Sequence, residues 1–282
     1  MSNLEVRPEV GVRHHDGCFG RTTPNVIRPN RGKRRNRLHP LASWALATLA
    51  SALNNPTSEE SYRHSLKVVL VLSLLNDSLK AAIAAVVHDI GKAKIDPLVL
   101  YCPGQLTPEQ RLLVESHANW TRIMLGERRF YGCFADVVEI ASNHHEFGDG
   151  SGYPNHLTWK DLCPHTRDLT VADIAEALIS DRIYRKAMSV AAALALMEEL
   201  YLQPGKIDAG SFARLRLQAH HLKRIAPVTS LPVLYQSVTA VLEARSIQYE
   251  GLTGFQPRVP YDRFYGAAER PSLHWHTFNH VA

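Results

Sequence analysis

The sequence predicts an all-α protein. Three observations carry that expectation. Apolar residues recur at helical spacing through most of the chain, one helix start is spelled out as Thr107-Pro108-Glu109-Gln110, and no period-two run bounded by hairpin turns occurs anywhere. The first apolar stripe, Leu41, Trp44, Leu46, Leu49 and Leu53, stops at Asn54-Asn55-Pro56. A second helix is expected from Thr57 or Ser58 to Asn76, with Glu59 and Glu60 in its first turn, where the helix dipole favours acids. The third, Asp77 to about Asp89, is Ala-rich and apolar nearly all round, which places it in the interior. Thr107 as N-cap, Pro108 at the first helical position and Gln110 three residues on from the cap start a helix expected to reach about Gly126. Further helices are expected over Phe134 to His145, Thr170 to Ser180 and Ser189 to Tyr201. Weaker signals cover Asp208 or Ser211 to Leu222, and Val233 to Ala244.

Composition narrows the class. Of 282 residues, 45% are hydrophobic, which supports a core and excludes a disordered chain. The best apolar stretches, Val68–Leu75 and Ala81–Val87, fall well short of the roughly 20 residues a membrane span needs. The N-terminus has no apolar signal segment, and Cys18, Cys102, Cys133 and Cys163 share no CxxC spacing. A reduced, cytoplasmic chain with no membrane span and no disulfide framework is expected. Residues 1–38 hold nine Lys/Arg against three acids, a surplus of six that exceeds the +5 of the whole chain, so residues 39–282 sum to −1. That Pro-, Asn- and Arg-rich arm reads as disordered. It could touch nucleic acid, but no aromatic residue interleaves Arg28–Arg37 as a stacking platform would require, and a solvated tail is the favoured reading.

The chemistry lies in the histidines, of which there are fifteen. His88-Asp89 ends the buried helix, with Gly91 and Lys92 following. His144-His145 ends another helix, His117 lies on a third, and His64 follows Glu60 by four residues on one helix face. Asp173 sits among Val171, Ala172, Ile174 and Ala175, where a lone carboxylate is costly to bury. Each residue alone has an ordinary packing explanation. Together, five imidazoles and three carboxylates at helix ends and faces form the donor set that suits iron, manganese or zinc, with carboxylates able to bridge two ions. Lys92, one turn beyond the pair, could place positive charge on a phosphate. His274, His276 and His280 in the Pro- and aromatic-rich tail, and His220-His221, read as tail and surface residues. The stretch from Glu146 to Arg167 holds three glycines and two prolines and has no period of its own; a loop of that length in a helical domain is usually functional.

One motif is specific. His144-His145-Glu146-x-x-Asp149-Gly150-x-Gly152-Tyr153-Pro154 fixes eight of eleven positions, a pattern that chance produces about once in 10^10 windows at average residue usage. With His88-Asp89 upstream, Pro103-Gly-x-Leu-Thr-Pro108, Val171-Ala-Asp-Ile174 and Ser180-Asp-Arg-x-Tyr-Arg185, the chain resembles the HD-GYP family of HD-domain metal-dependent phosphohydrolases over about Glu60 to Tyr201. Ala118 and Ile183 stand where that family commonly has proline.

The resemblance implies an HD-domain helical bundle with two or three divalent metal ions, iron or manganese. It implies hydrolysis of cyclic di-GMP to pGpG or GMP through a metal-bridging hydroxide. The implied ligands are His64, His88, Asp89, His117, His144, His145 and Asp173, with Glu60 as the extra carboxylate of three-metal members. Asp89 and Lys92 would be catalytic. Lys92, Asp149, Gly152, Tyr153, Pro154, Arg182 and Arg185 would contact substrate, and the Gly152-Tyr153-Pro154 loop could dock a GGDEF cyclase. The implied organisation is a basic arm (1–38), an N-terminal helix (39–56), the catalytic domain (57–222) and a C-terminal helix with an irregular tail (223–282). The alternatives are a slow cyclic di-GMP sensor or cyclase scaffold, and a phosphohydrolase of another nucleotide.

Overall fold

A computed structural model describes residues 38–52, 59–126, 134–182 and 185–253. The basic arm, the end of the first apolar stripe at Leu53, and the histidines of the tail lie outside these residues. The described residues form twelve helices and no strand: α1 (Pro40–Ala52), α2 (Glu59–Leu72), α3 (Leu79–Val87), α4 (Pro97–Leu100), α5 (Pro108–Glu115), α6 (His117–Gly126), α7 (Phe134–Ser142), α8 (Pro164–Ile179), α9 (Val190–Met197), α10 (Ala209–Leu217), α11 (Ala219–Ile225) and α12 (Leu231–Thr253). None of them is long and apolar enough to cross a membrane.

The bundle is organised around α3. Every residue of this helix except Lys80 is buried, and it packs against α1, α2, α7, α8 and α12. Four alanines on a nine-residue helix let neighbours approach from all sides, the physical content of its all-round apolar pattern. Nine of the fourteen residues of α2 are also buried, and α2 lies between α3, α8 and α12. Leu234, Val238 and Leu242 bring α12 onto the same core, to which Ala42, Ala45, Leu46 and Leu49 of α1 also belong. Arg245 ties α12 down, donating to the carbonyls of Asn76 (2.5 Å) and Ser78 (3.1 Å) in the α2–α3 connection.

Several helix boundaries differ from the sequence expectation, each for a local reason. α2 ends at Leu72 rather than Asn76: Ser73 Oγ bonds the Leu70 carbonyl, and the next amides tighten to i−3 bonds. α3 starts at Leu79, two residues after the expected Asp77, with Ser78 as its N-cap. The capping box of Thr107 and Gln110 forms as expected, but the helix breaks at Ser116, whose hydroxyl bonds the Leu113 carbonyl, so α5 and α6 are separate. α8 starts six residues early, at Pro164, with Cys163 extended before it; proline at the first helical position was the overlooked signal. The helix expected from Ser189 to Tyr201 starts at Val190 with Ser189 as its N-cap, then passes into a π turn at Glu198–Leu202. The segment from Asp208 splits at Gln218 into α10 and α11. The 3₁₀ turn Ile90–Lys94 and α4 had no forecast in the sequence. Cys102 and Cys163 are free thiols, while Cys18 and Cys133 lie outside the described residues.

Leu49 is fully buried between α1 and the rest of the core. Leu49→Ala should cost about 2–5 kcal/mol, a transfer term plus a cavity term, read as a lower denaturation midpoint in urea. An unchanged midpoint would show that α1 is not part of the cooperative core.

Candidate metal centre

Asp89 lies where α3 runs out. His88 is the helical C-cap, and the chain turns directly into the 3₁₀ segment, which packs on α6. Gly91 makes that approach possible: a Cβ there would lie 2.0 Å from the His117 carbonyl oxygen and 2.6 Å from the Thr121 nitrogen. Thr121 locks the junction, its Oγ1 accepting from the Gly91 amide (3.1 Å) and donating to the His88 carbonyl (2.9 Å). The end of α3 is thereby clamped beside His117 at the start of α6.

Two groups of donors meet at Asp89. One comprises Asp89, His117, His144 and His145, the other His64, His88 and Asp173, and within each the donor atoms lie inside 4.8 Å of one another. Asp89 Oδ1 is 3.3 Å from His117 Nε2 and 3.7 Å from His144 Nε2. Its Oδ2 is 3.4 Å from His88 Nε2 and 3.5 Å from His64 Nε2. Asp173 spans the groups in the same way: Oδ1 is 2.9 Å from His64 Nε2 and 3.7 Å from His88 Nε2, while Oδ2 is 3.9 Å from His145 Nδ1. Asp89 Oδ1, His117 Nε2 and His144 Nε2 are buried and lack a hydrogen-bond partner. Three orphaned polar atoms converging on one point, all good donors to a first-row divalent cation, fit a metal ion better than a protein hydrogen-bond network.

The imidazoles are oriented by one repeated device. His88, His117 and His144 each donate Nδ1–H to the carbonyl three residues back, of Ala85 (2.8 Å), Val114 (2.6 Å) and Ala141 (2.7 Å). Assigned this way, each Nδ1–H is anchored outside the cluster and each Nε2 faces it. His64 is the exception. It lies inside α2, where its Nδ1 bonds the buried carboxylate of Glu176.

The electrostatics follow from burial and from the two carboxylates. Burial opposes charge on His88, but Asp89 and Asp173 prevail and raise its pKa to about 10. Burial lowers His117 to about 4 and His145 to about 3, and pushes His144 well down too, so these three present neutral nitrogens. Burial works against the Asp89 carboxylate, yet Lys92 and His88 hold its pKa well below the usual range. His64 and His88 do the same for Asp173 against its burial.

The remaining predicted residues fall in different places. Lys92 Nζ is 2.5 Å from Asp89 Oδ2 and is the cation beside the cluster. Tyr153 tilts against the His145 ring, with centroids 4.7 Å apart, and its amide bonds the His145 carbonyl. Burial and the nearby carboxylates push its hydroxyl pKa up. Gly152 permits the turn beneath, since a Cβ would meet the Phe147 nitrogen at 2.3 Å and the His145 oxygen at 2.5 Å. Pro154 is half-buried beside it. Asp149 is exposed and folds back on Ser151, accepting from its amide and hydroxyl. Glu60 belongs to neither donor group and pairs with Arg182 at 3.5 Å. Arg182 also reaches Glu176 and His64 Nδ1, both at 3.0 Å. Arg185 is not brought to the cluster; its guanidinium donates to the carbonyls of Ala177, Leu178 and Lys186 at the end of α8.

Two buried acids were missed by sequence reasoning. Glu176 lies three residues beyond Asp173 on α8, one turn along the same face, a spacing that could have pointed to it. Glu146, inside the motif, accepts from the amides of Asn155 (2.6 Å) and Leu157 (2.9 Å) and so shapes the loop that carries Tyr153.

A family model described as "HD domain" matches residues 46–209, more than half of the chain. Among curated proteins, the chain is similar to a 3′3′-cGAMP-specific phosphodiesterase of Vibrio cholerae, 39% identical over 116 residues, covering 41% of this chain and 25% of the relative. It is 32% identical over 194 residues to a probable cyclic di-GMP phosphodiesterase of the same species, covering 62% and 44%. A cyclic di-GMP phosphodiesterase of Pseudomonas aeruginosa is 33% identical over 170 residues, covering 57% and 39%. The chain thus spans less than half the length of each of these relatives.

Because a Cβ at residue 91 collides with backbone, Gly91→Ala must move α3 and α6 apart. A loss of about 1–3 kcal/mol is expected, measured by thermal melting; an unaltered melting curve would refute the close-approach account.

Proposed function

The chain belongs to the HD domain family, in its HD-GYP branch, and from that premise we propose that it is a metal-dependent hydrolase of the phosphodiester bonds of cyclic dinucleotides. The observation that carries this reading is the position of Asp89, with one carboxylate oxygen toward each donor group. That is the arrangement a carboxylate bridging two ions requires. The resident ligands would be His64, His88, Asp89, His117, His144, His145 and Asp173, and iron or manganese suits this nitrogen and oxygen set. A pair of such ions, when bound, supplies an activated water and Lewis-acid stabilisation of the phosphate.

The chain's own residues supply the rest. Lys92, partly exposed above Asp89, offers its ammonium to a phosphate oxygen as negative charge develops there. Tyr153 covers His145 and walls one side of the cluster, excluding water from that face. Arg182, held by Glu60 and Glu176, presents a guanidinium at the opposite, His64 side. Cyclic di-GMP is the substrate we favour. The relative named for 3′3′-cGAMP supports a second reading, in which the same phosphodiester chemistry acts on a guanine–adenine dinucleotide. A panel of both substrates separates them.

Asp89→Asn keeps the shape of the side chain but removes the charge that spans both donor groups. Metal content per chain should fall together with cyclic di-GMP turnover, the latter by about 10³-fold or more, while the helical circular dichroism persists. Undiminished turnover would sink the two-ion reading.

Metal uptake should also be proton-linked. His88 is protonated below about 10 in the metal-free protein, whereas a coordinating imidazole must be neutral. Binding therefore releases a proton near neutral pH, and apparent affinity rises about tenfold per pH unit as pH climbs toward that value. Calorimetry in buffers of different ionisation enthalpy measures the release; none at neutral pH would show that His88 is already neutral before metal binds.

A further inference from the structure

The two donor groups that meet at Asp89 are not equally ready for a cation. In the group of Asp89, His117, His144 and His145, three donor atoms are buried and unpartnered: Asp89 Oδ1, His117 Nε2 and His144 Nε2. The fourth residue, His145, keeps 23% of its side chain exposed and is the most accessible member. In the group of His64, His88 and Asp173 the donors already hold one another. His64 Nε2 lies 2.9 Å from Asp173 Oδ1 and 3.3 Å from His88 Nε2, and Glu176 fixes His64 from behind. Among the described residues, none of the buried unpartnered atoms belongs to this second group.

The same asymmetry divides the Asp89 carboxylate. Oδ1, toward His117 and His144, has no hydrogen-bond partner. Oδ2, toward His64 and His88, accepts from Lys92 Nζ at 2.5 Å. Lys92 stands in the 3₁₀ turn directly after Asp89, and 21% of its side chain is exposed, so the ammonium can leave the oxygen for solvent while the turn stays in place.

A cation entering the first group breaks no protein hydrogen bond and relieves three orphaned atoms, each of which costs free energy while buried without a partner. A cation entering the second must part His64 from Asp173. It must also compete with an ammonium for Asp89 Oδ2, and two positive charges on one buried oxygen repel strongly. We propose that Lys92 is the placeholder for the second ion: the Asp89, His117, His144 and His145 group fills first, and the His64, His88 and Asp173 group fills only as Lys92 Nζ leaves Asp89 Oδ2. The ammonium is then released toward a phosphate oxygen in the fully loaded protein alone, which links metal loading to substrate binding through one side chain. The inference rests on the two-ion reading above and deepens it.

Mn(II) alone is the probe. Equilibrium dialysis counts the ions, and electron paramagnetic resonance separates isolated from coupled ones. In the unsubstituted protein the first equivalent should give the spectrum of isolated ions. The second should bring coupling and bind about tenfold or more weakly, the scale of one charge-assisted hydrogen bond. His144→Ala should remove the tight ion, whereas His64→Ala should keep it and lose the weak one. Lys92→Met should lower turnover and yet narrow the gap between the two dissociation constants, tightening the second ion more than the first. A lysine that only contacts phosphate would leave that gap unchanged. Lys92 is partly exposed, so its variant keeps the test open if a buried histidine variant fails to fold. Two ions bound as a single class, the reverse pattern in the histidine variants, or a gap that Lys92→Met leaves unchanged or widens would each overturn the placeholder role and leave the two-ion reading standing. A chain that binds one Mn(II) or none at saturation overturns the two-ion reading and this inference with it.

Discussion

Everything at the candidate site depends on one buried carboxylate. Asp89 is 2% exposed, and burying an anion costs several kcal/mol unless cations and donors surround it. Here Lys92 and His88 supply the opposing charge, and four imidazole nitrogens face its two oxygens. The group can occupy that place only because α3 is apolar on every side and ends at His88. The helix is carried into the core by its neighbours, and the polar pair at its end goes with it.

The geometry of the imidazoles shows how a helical bundle builds a cluster without long loops. At a helix C-terminus the last carbonyls have no intrahelical partner. His88 and His144 use those carbonyls to anchor Nδ1, which satisfies the backbone and aims Nε2 in a single contact. His117 does the same at the Ser116 break, using the Val114 carbonyl of α5. The break is therefore part of the site, because an unbroken helix from Thr107 would have consumed that carbonyl. His64 sits mid-helix with no free carbonyl in reach, and α8 provides Glu176 in place of one. This carboxylate also holds Arg182 and Ser180, so it is the common anchor of the His64 side of the cluster.

Much of this was legible before folding. The all-α class, the buried third helix and the Thr107 capping box follow from local patterns, since helix periodicity and caps involve residues within one or two turns. The seven donor residues that converge in two groups were nameable from the motif and its resemblance. The break at Ser116 was not legible, because a serine inside a helical pattern either faces solvent or turns its hydroxyl onto a preceding carbonyl, and residue type alone does not choose between the two. Neither was the role of Arg245, whose partners lie 167 and 169 residues away.

The sequence by itself determined the elements and their chemistry: where helices start, which of them is buried, and which residues bring nitrogen, oxygen and positive charge. Those properties are local, or are written in residue types. Only the tertiary structure decided the relations between distant parts. It put one oxygen of Asp89 toward each donor group, turned Arg185 to the end of α8, exposed Asp149, and set Glu176 of α8 against His64 of α2. Such relations arise from side chains far apart in the chain competing for the same buried space, and no window of sequence contains both competitors.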